Sequence, residues 1–184
     1  MNIINKIKKN KLIRDNIILF LGNSFGAFFT FLFHFYMGRK LGPEDYGALG
    51  AILAIIYLFT IPITTIQTSI AKFVSNFKAK NKFNEINYLF RAASKKLIIY
   101  SLIGSIVFII LAPLISSYLH IKIVPLLMLS LFIISSVMLY INRGLLQGLQ
   151  RFKNFSLNLI LEGLIKLSAG VILVLLGFRL NGAV

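Results

Sequence analysis

Five long apolar segments constrain this chain more than any other feature of its sequence. Between Asn16 and Gly38 there is no Lys, Arg, Asp or Glu, and a helix of about 20 apolar residues can cross a bilayer core of roughly 30 Å. Four further apolar segments follow, of which only the last contains charges, so that the five occupy about residues 16–38, 48–71, 97–119, 123–141 and 157–178. The sequence therefore predicts an all-α fold, a polytopic transmembrane helical bundle that forms a single domain over residues 1–184.

Composition supports a membrane protein and excludes several other classes. The chain is 58% hydrophobic and 14% charged, whereas soluble domains are about 45–50% apolar and about 25% charged. Hydrophobicity this high excludes a disordered chain. The absence of cysteine excludes a disulfide scaffold, thiolate metal sites and thiol nucleophiles.

The net charge of +15 is explained by where the basic residues lie. A DNA-binding domain gathers them on one face of a folded core, but here they fall between the apolar segments. We therefore expect membrane lipids and not nucleic acid as partners. The amino-terminal segment, the second connection and the fourth connection carry five, seven and three Lys or Arg, and the alternate connections carry four. The positive-inside rule then predicts a multi-pass protein of the cell membrane with a cytoplasmic amino terminus and the carboxyl terminus outside.

The first apolar segment has a second interpretation, a cleavable signal peptide. A signal peptide has an apolar region of about 7–15 residues and a cleavage site of small residues. This segment is longer, and it ends in the bulky residues Phe35, Tyr36 and Met37. A retained helix is the favoured interpretation.

The second connection, residues 72–96, combines basic and apolar residues. Phe83, Ile86, Phe90 and Leu97 recur at helical spacing among lysines and Arg91. This pattern is typical of a basic amphipathic helix at an anionic cytoplasmic leaflet, running into the third span. A solvated loop that only enforces the topology is the equally favoured alternative.

Two charged residues inside the fifth segment are the clearest candidates for a functional site. Glu162 and Lys166 are four residues apart with the acid first, the order that best forms an ion pair on a helix. Lys166 lies roughly 14 Å along the helix from Leu157, near the bilayer midplane. A charge there costs about 2.5–3.5 kcal/mol, which favours a place in an internal cavity. The alternative is a self-neutralising pair that helps helices associate. His34 and Gln67, in the first and second segments, are weaker cavity candidates.

Glycine and proline mark helix contacts and bends. Gly22 and Gly26 form a small-xxx-small pair, which lets a second helix approach closely. Pro62 lies inside the second segment and Pro113 near the end of the third. Proline bends a helix, and a bent helix can act as a hinge or line a cavity, or can simply be bent.

The sequence contains no pattern that predicts an enzyme. Glu44 and Asp45 are the single acidic pair in a connection, and His34 and His120 are the two histidines. There is no HExxH motif, phosphate-binding glycine loop or nucleophile elbow. We expect no catalytic residues, no metal site and no cofactor.

Two motifs resemble those of a known family. Gly38-Arg-Lys-Leu-Gly-Pro-Glu-Asp-Tyr-Gly47 follows the first span, and Asn142-Arg-Gly-Leu-Leu-Gln-Gly-Leu-Gln-Arg-Phe152 follows the fourth. In combination they resemble the polysaccharide biosynthesis (oligosaccharide flippase) family of the multidrug/oligosaccharidyl-lipid/polysaccharide exporter superfamily. The resemblance covers essentially the whole chain.

The resemblance implies a transporter of lipid-linked oligosaccharide carried on a polyprenyl phosphate or diphosphate. Such proteins have two helical lobes around a cationic cavity that alternates access. By this resemblance Lys166 would lie in the cavity and Arg39 at its outer mouth. His34 lies where relatives often carry a charged residue in the first span.

The length of the chain departs from this family, whose members have two lobes. The five segments resemble part of the amino-terminal lobe, so we expect a truncated or split form whose missing second lobe would be another polypeptide. Two alternatives stay open: a cation-coupled multidrug exporter-like protein, and a non-transporting membrane scaffold or partial subunit.

Overall fold

A computed structural model describes residues 3–183, with side chains from Lys11 onward. It contains five long helices, a five-residue π-helical segment and a short sixth helix, and the described range has no strand. The elements are α1 Ile3–Lys40, α2 Gly42–Ala79, α3 Phe83–Leu119, α4 Ile123–Gly148, α5 Phe152–Leu173, the π-helical segment Val174–Phe178 and α6 Leu180–Ala183. Each of α1–α5 is long and apolar enough to cross a membrane. The predicted all-α, multi-pass fold is confirmed. Three of the five basic residues counted in the amino-terminal segment, Lys6, Lys8 and Lys9, have side chains outside the described residues.

The first connection is shorter than the sequence predicted. Leu41 alone separates α1 from α2, and the turn is made by Gly42, whose φ of 76° favours glycine. Pro43 then occupies the first turn of α2 together with Glu44 and Asp45. Proline is compatible with a helix start, and acidic side chains there interact favourably with the helix dipole. The LGPEDYG motif is therefore a helix amino terminus.

The stretch 72–96 is not a separate connecting helix. The structure divides it between the end of α2 and the beginning of α3, joined by residues 80–82 with Asn81 at φ 55°. Both helices continue past the apolar segments because their flanking residues still pack. Val74 and Ile86 are buried together in one core cluster. The helical pattern from Phe83 does run into the third span without a break.

The predicted connection between the fourth and fifth segments also differs from the structure, whereas the predicted end of the fifth segment at residue 178 agrees with it. Because α4 continues to Gly148, Arg143 lies inside a helix, and residues 149–151 form the turn to α5. Gly177, with φ 90°, and Arg179 then end the fifth span, and α6 packs back against the bundle.

The buried apolar side chains of the bundle form two separate clusters. The larger cluster takes buried residues from α1, α2, α3, α4 and α6. The smaller cluster takes its buried residues from α2, α3 and α4. It lies towards the end of the bundle that holds turns 80–82 and 149–151, here called the basic end. Lys78 Nζ donates a 2.6 Å hydrogen bond to the Leu149 carbonyl and joins these two turns. Towards the basic end, α1 and α5 therefore pack chiefly on each other.

Candidate polar groove between α1 and α5

Small residues bring the backbones of α1 and α5 close together. A Cβ atom on Gly22 would lie 2.8 Å from Ser156 Cα, and one on Gly163 would lie 3.2 Å from the Gly26 carbonyl oxygen. Ser156 Oγ also donates a 2.9 Å hydrogen bond to the Ile18 carbonyl. Side chains larger than hydrogen at these glycines would separate the helices, so the glycines set the width of the α1–α5 contact.

A groove of about 270 Å³ runs along this contact. Its lining mixes small, polar and charged residues: Asn23, Gly26, Ala27, Thr30, Leu159, Glu162, Gly163 and Lys166. Thr30 Oγ1 donates to the Gly26 carbonyl at 3.0 Å, so part of this polarity is satisfied within α1. Glu162 and Lys166, the two charged candidates from the sequence, thus line the same groove.

Lys166 is half-buried in this groove, against an aromatic ring. Its ammonium nitrogen lies 4.7 Å from the centroid of the Phe33 ring, and Phe33 is almost fully buried. A cation over a ring face is attracted by the negative face of the π system, most strongly where water is displaced. Among the described residues, no carboxylate lies within ion-pair distance of this ammonium.

Glu162 forms its ion pair with Arg143 of α4, and not with Lys166. The Arg143 side chain is 5% exposed, while that of Glu162 is 48% exposed. Arg143 Nε also donates to Asn158 Oδ1 at 2.7 Å, and its guanidinium lies 5.4 Å from the Tyr140 ring centroid. The planar guanidinium offers several donors at once, so it engages two side chains one turn apart on α5. The same-helix pair, which the sequence offered as the alternative to a cavity role, is replaced by a pair between helices.

The other predicted site residues lie outside the described lining of this groove. The His34 ring packs edge-on to Phe33 at 5.5 Å between centroids, on the same ring that Lys166 contacts. Arg39 is exposed, with its guanidinium 4.2 Å from the Phe35 ring centroid. Gln67 donates a 3.1 Å hydrogen bond from Nε2 to Gln147 Oε1 of α4. Pro62 is exposed within an unbroken α2.

The contact between α2 and α4 explains why the motif at residues 142–152 contains two glycines and a glutamine after its arginine. A Cβ on Gly144 would lie 2.7 Å from the Gln67 carbonyl oxygen, and one on Gly148 would lie 2.7 Å from that of Ala71. Gln147 lies between these glycines in sequence and pairs with Gln67. Thus the RG-x-x-QG pattern closes the α2–α4 contact while its arginine reaches α5.

Sequence reasoning missed Arg143 and Asn158 as site residues. The sequence places Arg143 in the fourth connection because charge marks the limits of an apolar segment, although α4 continues beyond it. The available signals were the motif itself and the four-residue spacing of Asn158, Glu162 and Lys166, which places all three on one side of α5. Within the part of the chain that the structure describes, no group of three or more His, Asp or Glu could hold a metal ion.

Comparison with known proteins gives two matches. A family model described as "Polysaccharide biosynthesis protein" matches residues 12–184. An uncharacterised membrane protein of Methanocaldococcus jannaschii is 30% identical over 159 residues, which are 82% of this chain and 36% of that relative. The chain therefore spans little more than a third of the curated relative that it matches. No solved structure gives a significant match.

Proposed function

Because this chain belongs to the polysaccharide biosynthesis protein family, we propose that it is part of a flippase for a lipid-linked oligosaccharide. The cargo has a bulky glycan, an anionic polyprenyl phosphate or diphosphate and an apolar tail. The chain would bind this molecule and carry it across the cell membrane without making or breaking a covalent bond. In this proposal the basic end of the bundle, with the amino terminus, faces the cytoplasm.

The observation that carries this proposal is the position of the Lys166 ammonium in the α1–α5 groove. A cation at membrane depth costs about 2.5–3.5 kcal/mol and is retained where it faces a partner or a water-filled cavity. The nearby carboxylate of Glu162 is engaged by Arg143, and the observed contact of the ammonium is an aromatic ring. Such a cation suits the phosphate group of a lipid-linked sugar, since charge-assisted hydrogen bonds are the strong ones.

The groove alone is small for an oligosaccharide. Its volume of about 270 Å³ falls below the 300–1,000 Å³ range of typical ligand pockets. We propose that further helices complete the cavity, supplied by a second lobe in the same or another polypeptide. The 36% coverage of the Methanocaldococcus relative supports this proposal.

Transport by purified protein in liposomes tests the proposal. The protein would be reconstituted together with any polypeptide that supplies the second lobe, and the movement of a fluorescent polyprenyl-diphosphate-linked oligosaccharide between leaflets would be followed. Lys166→Gln should lower the initial rate about tenfold or more, because a hydrogen bond to a charged group contributes about 1.5–3 kcal/mol. Lys166→Arg, which keeps the cation, should retain most of the rate.

The matched control is Lys153→Gln, which removes an exposed lysine from the first turn of the same helix. It should leave the transport rate within twofold of the wild type. An unchanged rate in Lys166→Gln would contradict a role for this ammonium. Wild-type protein that moves amphiphilic cations and no lipid-linked sugar would instead support the multidrug exporter alternative.

A further inference from the structure

Glu162 has two cationic neighbours, and the structure shows with which of them it forms an ion pair. Lys166 follows it by one helical turn on α5, in the order that favours an ion pair. Arg143 reaches it from α4 and forms the observed pair. Both Glu162 and Lys166 line the groove, so the partner that Glu162 selects determines whether the groove contains an accessible positive charge.

We propose that Arg143 is a positioning residue that holds the Glu162 carboxylate towards α4 and thereby leaves the Lys166 ammonium available to an anionic phosphate group in the groove. The inference rests on the proposed function and deepens it, since it assigns to Arg143 the control of the groove's charge. The arginine itself is buried and does not line the groove described here.

The surroundings of Arg143 fix it in this role. Its Nε is held by Asn158 at 2.7 Å, and its guanidinium lies over the Tyr140 ring. The next residue, Gly144, is packed against the backbone of α2. The guanidinium is therefore held by side chains of α4 and α5 and by the contact of α4 with α2, whereas the Glu162 side chain is half exposed and able to change rotamer.

Loss of Arg143 should therefore redirect Glu162 to Lys166. The carboxylate would lose its guanidinium partner, and the nearest alternative on its own helix is the ammonium four residues later. A Glu162–Lys166 pair would cancel the positive charge of the groove. An anionic head group would then have to displace a carboxylate before it could bind.

The rate at which Lys166 is acylated reports this change directly. The complete protein would be treated in detergent micelles with a membrane-permeant N-hydroxysuccinimide acetate ester, and acetylation of individual lysines would be timed by mass spectrometry. A carboxylate partner stabilises the protonated, unreactive ammonium. Arg143→Gln should thus slow acylation of Lys166 about fivefold, the factor that corresponds to an ion pair of about 1 kcal/mol. Lys153, on the same helix, is the internal reference and should not change.

Glu162→Gln and the double variant separate charge control from general damage. Glu162→Gln should leave the acylation rate of Lys166 within twofold of the wild type, because Glu162 is not its partner in the intact protein and the glutamine amide oxygen can still accept a hydrogen bond from the buried Arg143 guanidinium, which a leucine cannot. Adding Glu162→Gln to Arg143→Gln should restore the rate to that range. Arg151→Gln removes an exposed arginine near the start of α5 and should have no effect.

Two results would overturn the inference. One is an unchanged acylation rate of Lys166 in Arg143→Gln. The other is a several-fold faster rate in Glu162→Gln, which would mean that Glu162 already neutralises Lys166 in the wild type. If Arg143→Gln fails to fold, the acylation rate of Lys166 in Glu162→Gln still tests the inference. Arg143→Lys adds a test in a variant that keeps the buried charge. It should slow the acylation of Lys166 by a smaller factor than Arg143→Gln does.

Failure of this inference and failure of the proposed function give different results. Transport that is unaffected by Lys166→Gln removes the proposed role of the ammonium but leaves the acylation rates as predicted. Acylation of Lys166 that does not depend on Arg143 removes the positioning role, even where transport requires Lys166.

Discussion

The α1–α5 and α2–α4 contacts are both closed by glycines, yet they arrange their polar groups differently. Between α2 and α4 the amides of Gln67 and Gln147 hydrogen-bond to each other. Between α1 and α5 polar and charged side chains line a groove, and the one ion pair described there leads away to Arg143 of α4. In the first contact the two amides satisfy each other, and in the second the Lys166 ammonium has no carboxylate partner among the described residues.

Helix α4 links these two contacts through neighbouring residues. Gly144 and Gly148 face α2, while Arg143 reaches Asn158 and Glu162 of α5. Successive helix residues differ by about 100° in direction, so adjacent positions of one motif serve different neighbours. The difference between the two contacts can be tested by removing, in turn, the charges, the glycines and the amide pair.

Loss of the Glu162 carboxylate should have the largest effect on stability. Glu162→Leu would leave the buried guanidinium of Arg143 without its counter-charge, and this should cost about 3 kcal/mol, the lower end of the range for buried pairs, because the Glu162 side chain is half exposed. The free energy of unfolding would be measured in mixed detergent micelles by titration with sodium dodecyl sulfate, followed by far-UV circular dichroism. The chain has no tryptophan, so intrinsic tryptophan fluorescence is not a usable probe.

The matched control removes the other charge of the groove. Lys166→Met keeps an unbranched chain and loses the cation–π contact with Phe33, a change of about 1 kcal/mol or less. Together the two variants would show that one charge of the α1–α5 groove, Glu162, stabilises the fold and that the other, Lys166, does not. Equal losses in the two variants would contradict this separation.

A methyl group at Gly148 should be the next most damaging change. The new Cβ would lie 2.7 Å from the Ala71 carbonyl oxygen, part of the α2 backbone. Gly148→Ala should therefore force the helices apart and cost about 2 kcal/mol, measured by the same titration. Gly104→Ala in α3 is the control, because its Cβ would meet nothing within 4 Å. It should be neutral or stabilising by up to about 1 kcal/mol.

The α1–α5 contact offers a matched pair of glycines of its own. Gly22→Ala would place a Cβ 2.8 Å from Ser156 Cα, whereas Gly26→Ala would place one at an ordinary 3.4 Å from the Leu159 carbonyl oxygen. We expect a loss of about 1.5 kcal/mol for the first variant and little change for the second. If Gly26→Ala proved as damaging as Gly22→Ala, the close approach would not be localised at Ser156.

The number and order of the spans could be predicted from the sequence, but the helix ends could not. Long apolar runs, four of them without any charge, mark the membrane core, and each of the five runs corresponds to one long helix. A helix does not have to end where charges begin. Lys72 and Lys78 continue α2, and Arg143 lies within α4, because lysine and arginine are good helix formers.

The groove could be predicted in part. The sequence identifies Glu162 and Lys166 as site candidates because charges are costly in lipid, and both residues line the groove. The partner of Glu162 could not be found from spacing, since spacing along one helix reveals only neighbours on that helix. The pair with Arg143 depends on how closely α4 approaches α5, which is decided by tertiary packing.

The smallest effect should come from the amide pair of the α2–α4 contact. Gln67→Leu and Gln147→Leu each leave the other amide without the partner seen in the structure, while the double variant removes both polar groups. Hydrogen bonds between membrane helices contribute about 0.6 kcal/mol on average, so the double-mutant cycle should give a coupling energy near that value. Arg143→Met and Glu162→Leu, treated in the same way, should give a larger coupling because both groups carry charge and one is buried. Similar couplings in the two cycles would mean that the charged pair is as replaceable as the neutral one, and the distinction between the two helix contacts would then rest on shape alone.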